Sequence, residues 1–546
     1  MPGFYSLPAE IQLMILNFVA EPSPASSKPH TESSSSASSS SLARYACVDK
    51  FWNTFFESRT FKNLTITQYD ISSLSRFVTG RRRTLLKHLW LRIKLPEYPT
   101  SMSKADEDPT ILWQLDFVFT ESIKYLWEVL SEWQGAGQKG MTLELSADSS
   151  SDWAGMLRWN SSIERDVKLY KEYLASSSME QYDIFGDVHT PYVKLHEALS
   201  TPSAYITYNK RNDYWFATVN NLFGWRPLDF NYSESANDKE GGDEDDIPQL
   251  PPVSVVTKFL IRRQQFREIY PTALNKILSS LPAVEDVHVE RWRCGESCDE
   301  KSWCKEAQVT FAMDLPPSVK TLSLYGDTSP IFHNWGPRDA SVVSLAKCLR
   351  QYSKNLEHLS VSHLIDAKEF LRPFWPADSD EATRSLPDWE NLKTLSLTSD
   401  VFNTGTKKEI NNLLCAAARA AKKMPNLQLL ELWNGKEKRA CVFRYRVEDT
   451  VGEITLRGTH IKTLDNEVVM AWGDTSVHIH RPDVRESFVP IEKEDINSTR
   501  QVLGYLSNRG KIMHPVSAYR AIGKRKRGDS EEDDMAVPKK KRNDTN

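Results

Sequence analysis

Three cysteines, Cys294, Cys298 and Cys304, with His288 nearby, are the residues of this chain whose types come closest to a metal centre. Thiolates and an imidazole can take a tetrahedral zinc ion, but a closed structural site normally draws on a second ligand pair that this spacing lacks. They are therefore expected as reduced cysteines in a loop that extends one layer of the fold, and neither metal nor any other cofactor is expected. Gly135, Gly137 and Gly140 match the glycine spacing of a dinucleotide loop, which requires a strand before it and a helix after it. The order here is inverted. Ile123, Leu126, Trp127 and Leu130 have helical spacing before the glycines, and Leu143 and Leu145 alternate like a strand after them, so the segment reads as a helix-to-strand turn. His478 and His480 alternate along a predicted strand and are expected to be structural or exposed. No HExxH, P-loop or GxSxG motif occurs. No residue is assigned a catalytic role, and the chain is not expected to be an enzyme.

The C-terminus has basic chemistry of another kind. Lys524, Arg525, Lys526 and Arg527 are separated by a spacer from Lys539, Lys540, Lys541 and Arg542. This pattern resembles a bipartite nuclear import signal, which implies importin as a partner and a location in the nucleus, the cytoplasm or both. Such clusters can also hold phosphates, but the acids Asp529, Glu531, Glu532, Asp533 and Asp534 between them oppose a nucleic-acid clamp, so import is the expectation. Ser530, followed by those acids, resembles an acid-directed kinase site, and an added phosphate would weaken the basic signal further.

Bulk properties set the limits on the rest. The 546 residues exceed one ordinary core, and a net charge of -4 gives the chain as a whole no affinity for polyanions. Its apolar runs are far shorter than a bilayer span and its start lacks a secretory pattern, so it is expected to be neither secreted nor membrane-spanning. Seven scattered cysteines fit a reducing compartment.

The elements that must carry any function begin at the N-terminus. Pro8 opens a helix whose Ile11, Met14, Ile15, Phe18 and Val19 form one apolar stripe that must be buried, while Leu7, Leu13 and Leu16 lie off it. A serine-rich stretch at 22–41 is read as a flexible insertion. After it, Leu42, Tyr45, Ala46 and Val48 make a short helical piece, and Asp49 is placed to cap a helix bearing Phe51, Trp52, Phe55 and Phe56. Three helices in so few ordered residues bury too little surface to stand alone, so a partner is implied.

The order Leu7-Pro8-x-Glu10-Ile11, Ile15-Leu16, Leu42-Ala43-x-x-Ala46-x-Val48 and Trp52, followed by Phe61-x-x-Leu64-Thr65, resembles the F-box of fungal F-box proteins. The resemblance covers residues 1–62. It implies binding to the Skp-type adaptor of a cullin-RING ubiquitin ligase, with the contact assigned to Leu7, Pro8, Ile11, Ile15, Leu16, Leu42, Val48 and Trp52. The insertion departs from the family pattern, though loop length costs only about 0.6 kcal/mol per doubling. The alternative is a cap of three helices that shields the first layer of the fold.

Beyond the helices, a repeat governs the chain. Val284-Val287-Val289, Val319-Leu322-Leu324, Leu356-Leu359-Val361, Leu392-Leu395-Leu397 and Leu427-Leu430-Leu432 recur at nearly constant spacing, and Leu86-Leu89-Leu91 adds an early copy. Helical spacing separates them, as in Val342 to Leu349 and Ile410 to Ala418. A strand then a helix per unit fits stacked βα layers, and the pattern resembles a leucine-rich-repeat solenoid. The expected fold is mixed α/β: the F-box, a first α/β segment at 63–232 with possible early layers, an acidic and proline-rich linker at 233–252, and the solenoid at 253–435. An α+β cap at 436–522, opening with a hairpin, closes the open end, and a disordered tail follows from 523. Together these features imply the substrate-receptor subunit of an SCF-type ligase, its solenoid strands lining a concave face that binds an unidentified target. Trp292, Tyr325, Trp335, Trp375 and Trp433 flank those strands as anchors or, the favoured reading, as core. A nuclear interaction scaffold without ubiquitination is the alternative function.

Overall fold

The computed structural model describes residues 4–20, 44–98, 109–133, 140–149, 151, 227–230 and 249–522, the last with gaps at 264, 266, 295–296, 329–339, 376–387, 449–450, 462 and 479–483. Each predicted repeat sits on a strand. These are β5 (Asp286–Trp292), β6 (Thr321–Asp327), β7 (His358–Ser362), β8 (Thr394–Thr398) and β9 (Leu429–Lys436). The repeat residues also lie in register: Val287 pairs with Leu322, Leu322 with Leu359, Leu359 with Leu395 and Leu395 with Leu430, all in parallel. The same sheet begins earlier, with β1 (Asn63–Ile66), β2 (His88–Lys94), β3 (Met141–Asp148) and β4 (Val256–Ile261). It continues through β10 (Arg439–Glu448), β11 (Val451–Gly458) and β12 (Val484–Pro490). Strand order follows chain order throughout, and all pairs are parallel except β9–β10 and β10–β11.

Parallel neighbours require crossovers, and the helices supply them on one face. Of the helices among the described residues, nine frame the sheet and its N-terminal end. The N-terminal pair is α1 (Ala9–Ala20) and α2 (Lys50–Thr60), joined to the sheet through α3 (Arg81–Leu85). The long α4 (Pro109–Ser131) precedes β3, α5 (Pro271–Ser279) follows β4, α6 (Ser297–Gln308) follows β5, and α7 (Ala340–Tyr352) follows β6. Further along, α8 (Lys407–Ala421) precedes β9 and α9 (Asn466–His478) precedes β12. Thr406 and Glu409 form a reciprocal capping box that starts α8. Leu322, Leu324, Leu359 and Val361 pack with Leu345, Leu413 and Leu414 in one apolar cluster that runs from Ile66 to Trp472.

Several expectations change here. The linker at 233–252 was expected to separate two folded halves, but β3 and β4 pair directly across it, so one sheet and one core continue on both sides. Residues 233–248 lie outside the described residues. Cys298 and Cys304 lie on helix α6 rather than in a loop, because Trp303, Cys304 and Ala307 bury against the core, whereas Cys294 sits in irregular backbone just after β5. His478 ends helix α9 rather than lying on a strand, and His480 falls outside the described residues. The hairpin is present as β10 and β11, and β9 pairs antiparallel with it. Helix α4 precedes Gly140 and strand β3 follows it, as the inverted order predicts.

The largest departure concerns the segment after β12. Residues 436–490 do not form a separate cap: they complete the sheet as its last strands. Residues 491–522 then double back across the face opposite the helices. Arg444 Nη2 on β10 donates to the Tyr505 carbonyl at 2.7 Å, and Ser507 N donates to Glu431 on β9 at 2.9 Å. Asn508 reaches Thr394 on β8, Lys511 Nζ meets His358 on β7 at 2.8 Å, Ser323 Oγ on β6 donates to the Lys511 carbonyl, and His514 N donates to Glu290 on β5. This strap crosses six strands in reverse order.

A second apolar cluster forms beneath the strap. Ile491, Ile496, Val502, Leu503, Leu506, Ile512 and Met513 bury against Tyr325, Trp433 and Val442. At ~1.5–3 kcal/mol for each fully buried large side chain, this layer contributes on the order of 10 kcal/mol. The strap is therefore integral to the fold. Close approach of its backbone explains the small side chains below it: Ser323, Ser360 and Ser396 lie opposite one another in register and are all buried.

Candidate protein-docking surface

The N-terminal helices are built much as their sequence demands. Asp49 accepts from Phe51 N at 2.6 Å and Trp52 N at 3.0 Å, satisfying two of the otherwise orphaned donors of α2. The Pro8 carbonyl accepts from Ile11 N and Gln12 N at the start of α1. Phe56 and Leu16 are fully buried, and Trp52 packs at 5.5 Å from Phe4, 6.3 Å from Tyr45 and 5.8 Å from Phe56. This small core is distinct from the two clusters of the sheet.

The buried face of α1 is not the expected one. Leu16, placed off the stripe by the spacing, is the residue at 0 % exposure, whereas the stripe residues Met14 and Phe18 are 64 % and 78 % exposed. The reason is geometric: α2 approaches α1 from the Leu16 side, where Arg59 donates to Asn17. Ile11, Leu13, Val48 and Phe51 are exposed as well. An apolar surface of this kind on two short helices marks an interaction site.

The eight residues assigned to adaptor contact therefore divide. Pro8, Ile11 and Val48 are exposed, Leu7 and Ile15 are half-buried, Leu16 and Trp52 belong to the internal core, and Leu42 lies outside the described residues. Met14, Phe18 and Phe51 join the exposed surface without having been assigned to it. For Met14 and Phe18 the signal was present in the sequence as the i, i+3, i+4, i+7 stripe itself. Lys524 to Arg527 and Lys539 to Arg542, the import residues, lie outside the described residues.

The strand face expected to bind a target is covered by the strap. Trp292, Tyr325 and Trp433 are buried, Trp375 is partly buried, and Trp335 lies outside the described residues. The strand ends instead hold buried charge networks. Asp327 receives Arg500 Nη2 at 3.0 Å and Arg263 Nε, and both guanidinium groups lie over the Trp292 ring, at 5.6 and 4.5 Å. Burial alone pushes the Asp327 carboxyl upward; the two arginines more than reverse this and hold its pKa at about 2. In a second network, Arg291 binds both Glu268 and Glu300 and lies 3.7 Å over Trp303. Arg293 also neutralises Glu300, which is held down at about 2 against its own burial, whereas burial dominates at Glu268 and raises it to about 7.

The cysteines beside that network are held as neutral thiols. Burial pushes the Cys294 thiol well up and the Cys304 thiol to about 12, and Cys294 Sγ contacts Glu268 at 3.2 Å and Arg291 at 3.3 Å. Among the described residues no group of His, Cys, Asp and Glu side chains is arranged to hold a metal ion, and no helix is long and apolar enough to cross a membrane.

No curated protein and no solved structure matches the chain. Residues 314–514, which run from just before β6 into the strap as far as His514 and exclude the N-terminal helices, match the model of DUF6546, a family of unknown function.

Proposed function

We propose that the chain is a non-catalytic receptor whose N-terminal helices dock on the Skp-type adaptor of a cullin-RING ubiquitin ligase, while the long sheet and its helices hold a target. The observation that carries this reading is the exposed apolar face of α1 and α2, with Met14 and Phe18 pointing outward from a core of only a few side chains. Helices this small gain stability from a partner. The Leu-Pro-x-Glu-Ile opening supplies the family resemblance. In such an assembly the chain performs no chemistry; it raises the effective concentration of target lysines beside a charged conjugating enzyme. Target binding falls to surfaces other than the strap-covered strand face. The basic tail adds importin as a partner and nuclear entry.

A second reading, a nuclear scaffold in which the helices serve only as a cap, has one observation in its favour. Glu57 of α2 pairs with Arg82 of α3 at 2.5 Å, fastening the helices to the first edge of the sheet. Affinity purification of the full chain beside a variant lacking residues 1–62, read by mass spectrometry, separates the two. Adaptor and cullin recovered only with the full chain support the receptor; their absence from both samples gives the scaffold. Nuclear exclusion of a chain with an intact tail would remove the import assignment.

A further inference from the structure

The apolar docking face sits in a strongly basic part of a chain that is acidic as a whole. Residues 44–87 contain nine Lys and Arg against three Asp and Glu, while the net charge of all 546 residues is -4. One of the three acids, Glu57, is buried and already paired with Arg82, and a second, Asp70, is occupied by the Thr67 hydroxyl at 2.7 Å in a capping box. The exposed charge of this region is therefore almost entirely positive.

These cations border the docking face. Lys50 is exposed immediately before Phe51, and Arg44 is exposed on the turn that carries Val48. Arg59 is exposed and donates to Asn17, the neighbour of Phe18. Arg81 is exposed and donates to Thr54 of α2 at 3.1 Å. Two of the guanidinium groups lie over aromatic rings, Arg59 over Phe55 at 4.6 Å and Arg44 over Tyr45 at 4.9 Å. Contacts of this kind restrict the fork and lower the entropy lost when it grips a carboxylate.

Resting on the receptor reading above, we infer that the partner of α1 and α2 presents an apolar groove with an acidic rim, and that the basic collar sets the rate of docking while Met14 and Phe18 set its lifetime. Rim charges act mainly on association and its salt dependence, and buried apolar anchors act on dissociation. A nucleic acid fits the collar alone but leaves the apolar centre unexplained, since nucleic-acid interfaces are more polar than protein interfaces.

The test is stopped-flow or surface-plasmon binding of the full chain to a recombinant Skp-type adaptor at several salt concentrations. Lys50→Glu with Arg59→Glu is expected to lower the association rate about tenfold or more at low salt, with the effect vanishing at high salt and dissociation unchanged. Phe18→Ala is expected to do the opposite, accelerating dissociation and sparing association. Neutral Lys50→Gln with Arg59→Gln, giving an intermediate rate, and unchanged thermal melts exclude misfolding as the cause. Adaptor binding with an association rate indifferent to salt and charge reversal overturns the collar while leaving the receptor reading intact. Failure of the unmodified chain to bind the adaptor overturns both. Binding of a DNA duplex that the charge reversals abolish, with adaptor binding untouched, overturns the collar in favour of a polyanion site.

Discussion

Arg500 on the returning strap donates to Asp327 at the end of β6 from 173 residues away in the chain. The bond joins the last part of the fold to its centre, and both residues are buried. Because Arg263 approaches the same carboxylate, Asp327 neutralises two guanidinium groups that would otherwise face a low-dielectric interior.

Asp327→Asn keeps the shape of this residue and removes its charge. The expected loss is about 3–5 kcal/mol, the magnitude for breaking a buried ion pair from one side. The same network gives an acid limit. Since the carboxyl is held at about 2 in the fold against an ordinary 3.8, its stabilisation is complete above the ordinary value and is lost as the pH falls through about 2. Urea unfolding of both proteins at neutral pH and near pH 3 measures the difference, and a gap that does not shrink on acidification would contradict this account.

Glu268 has the opposite sign. Burial raises it to about 7 from an ordinary 4.5, so the folded state holds a proton that the unfolded state releases. Its contribution is complete below pH 4.5 and declines as the pH climbs towards 7. Glu268→Gln imitates the protonated acid, and in denaturant titrations across that interval it is expected to flatten the decline while leaving stability at the acid end close to that of the unmodified chain.

The strap makes a further demand at Gly435. A Cβ added there would lie 2.5 Å from Val502 Cγ2 and 2.9 Å from the Arg439 carbonyl, the second of which cannot move cheaply. Gly435→Ala is expected to destabilise by about 1–3 kcal/mol through overpacking, and Leu503→Ala, which empties a fully buried position, by about 2–5 kcal/mol. Limited proteolysis should show cleavage between 491 and 522 appearing first in both variants. If the global melting temperature falls while the strap stays protected, the strap is not the weak element.

Legibility in the sequence followed the physics of each part. The repeat was readable because Leu322, Leu359, Leu395 and Leu430 face one core in one register, and helix-face burial fixes both residue type and spacing. The strap was not, because its residues 499–522 fold into short helical turns with no long period of their own. A weaker trace existed on the sheet: Ser323, Ser360 and Ser396, with Ser362 and Thr398, occupy alternate positions where water-facing strands accept Lys or Glu freely. Small hydroxyls there in three successive strands mark a covered face. On α1 the stripe was legible but its burial was inverted, because periodicity says which residues share a face and not which neighbour covers it.

That inversion supplies the sharpest division between stability and binding. Leu16 is fully buried, and Leu16→Ala is expected to cost about 2–5 kcal/mol locally and to loosen α1 from α2. Met14 and Phe18 are largely exposed, so their replacement by alanine is expected to change stability by no more than about 0.5 kcal/mol. If the exposed stripe is the docking face, Met14→Ala with Phe18→Ala nevertheless weakens adaptor capture by about tenfold or more, the scale of losing two anchors. Hydrogen exchange on α1 reports the first effect and pull-down with recombinant adaptor the second. A double variant that loses α1 protection together with binding would mean the stripe is core after all, and the cap reading would follow.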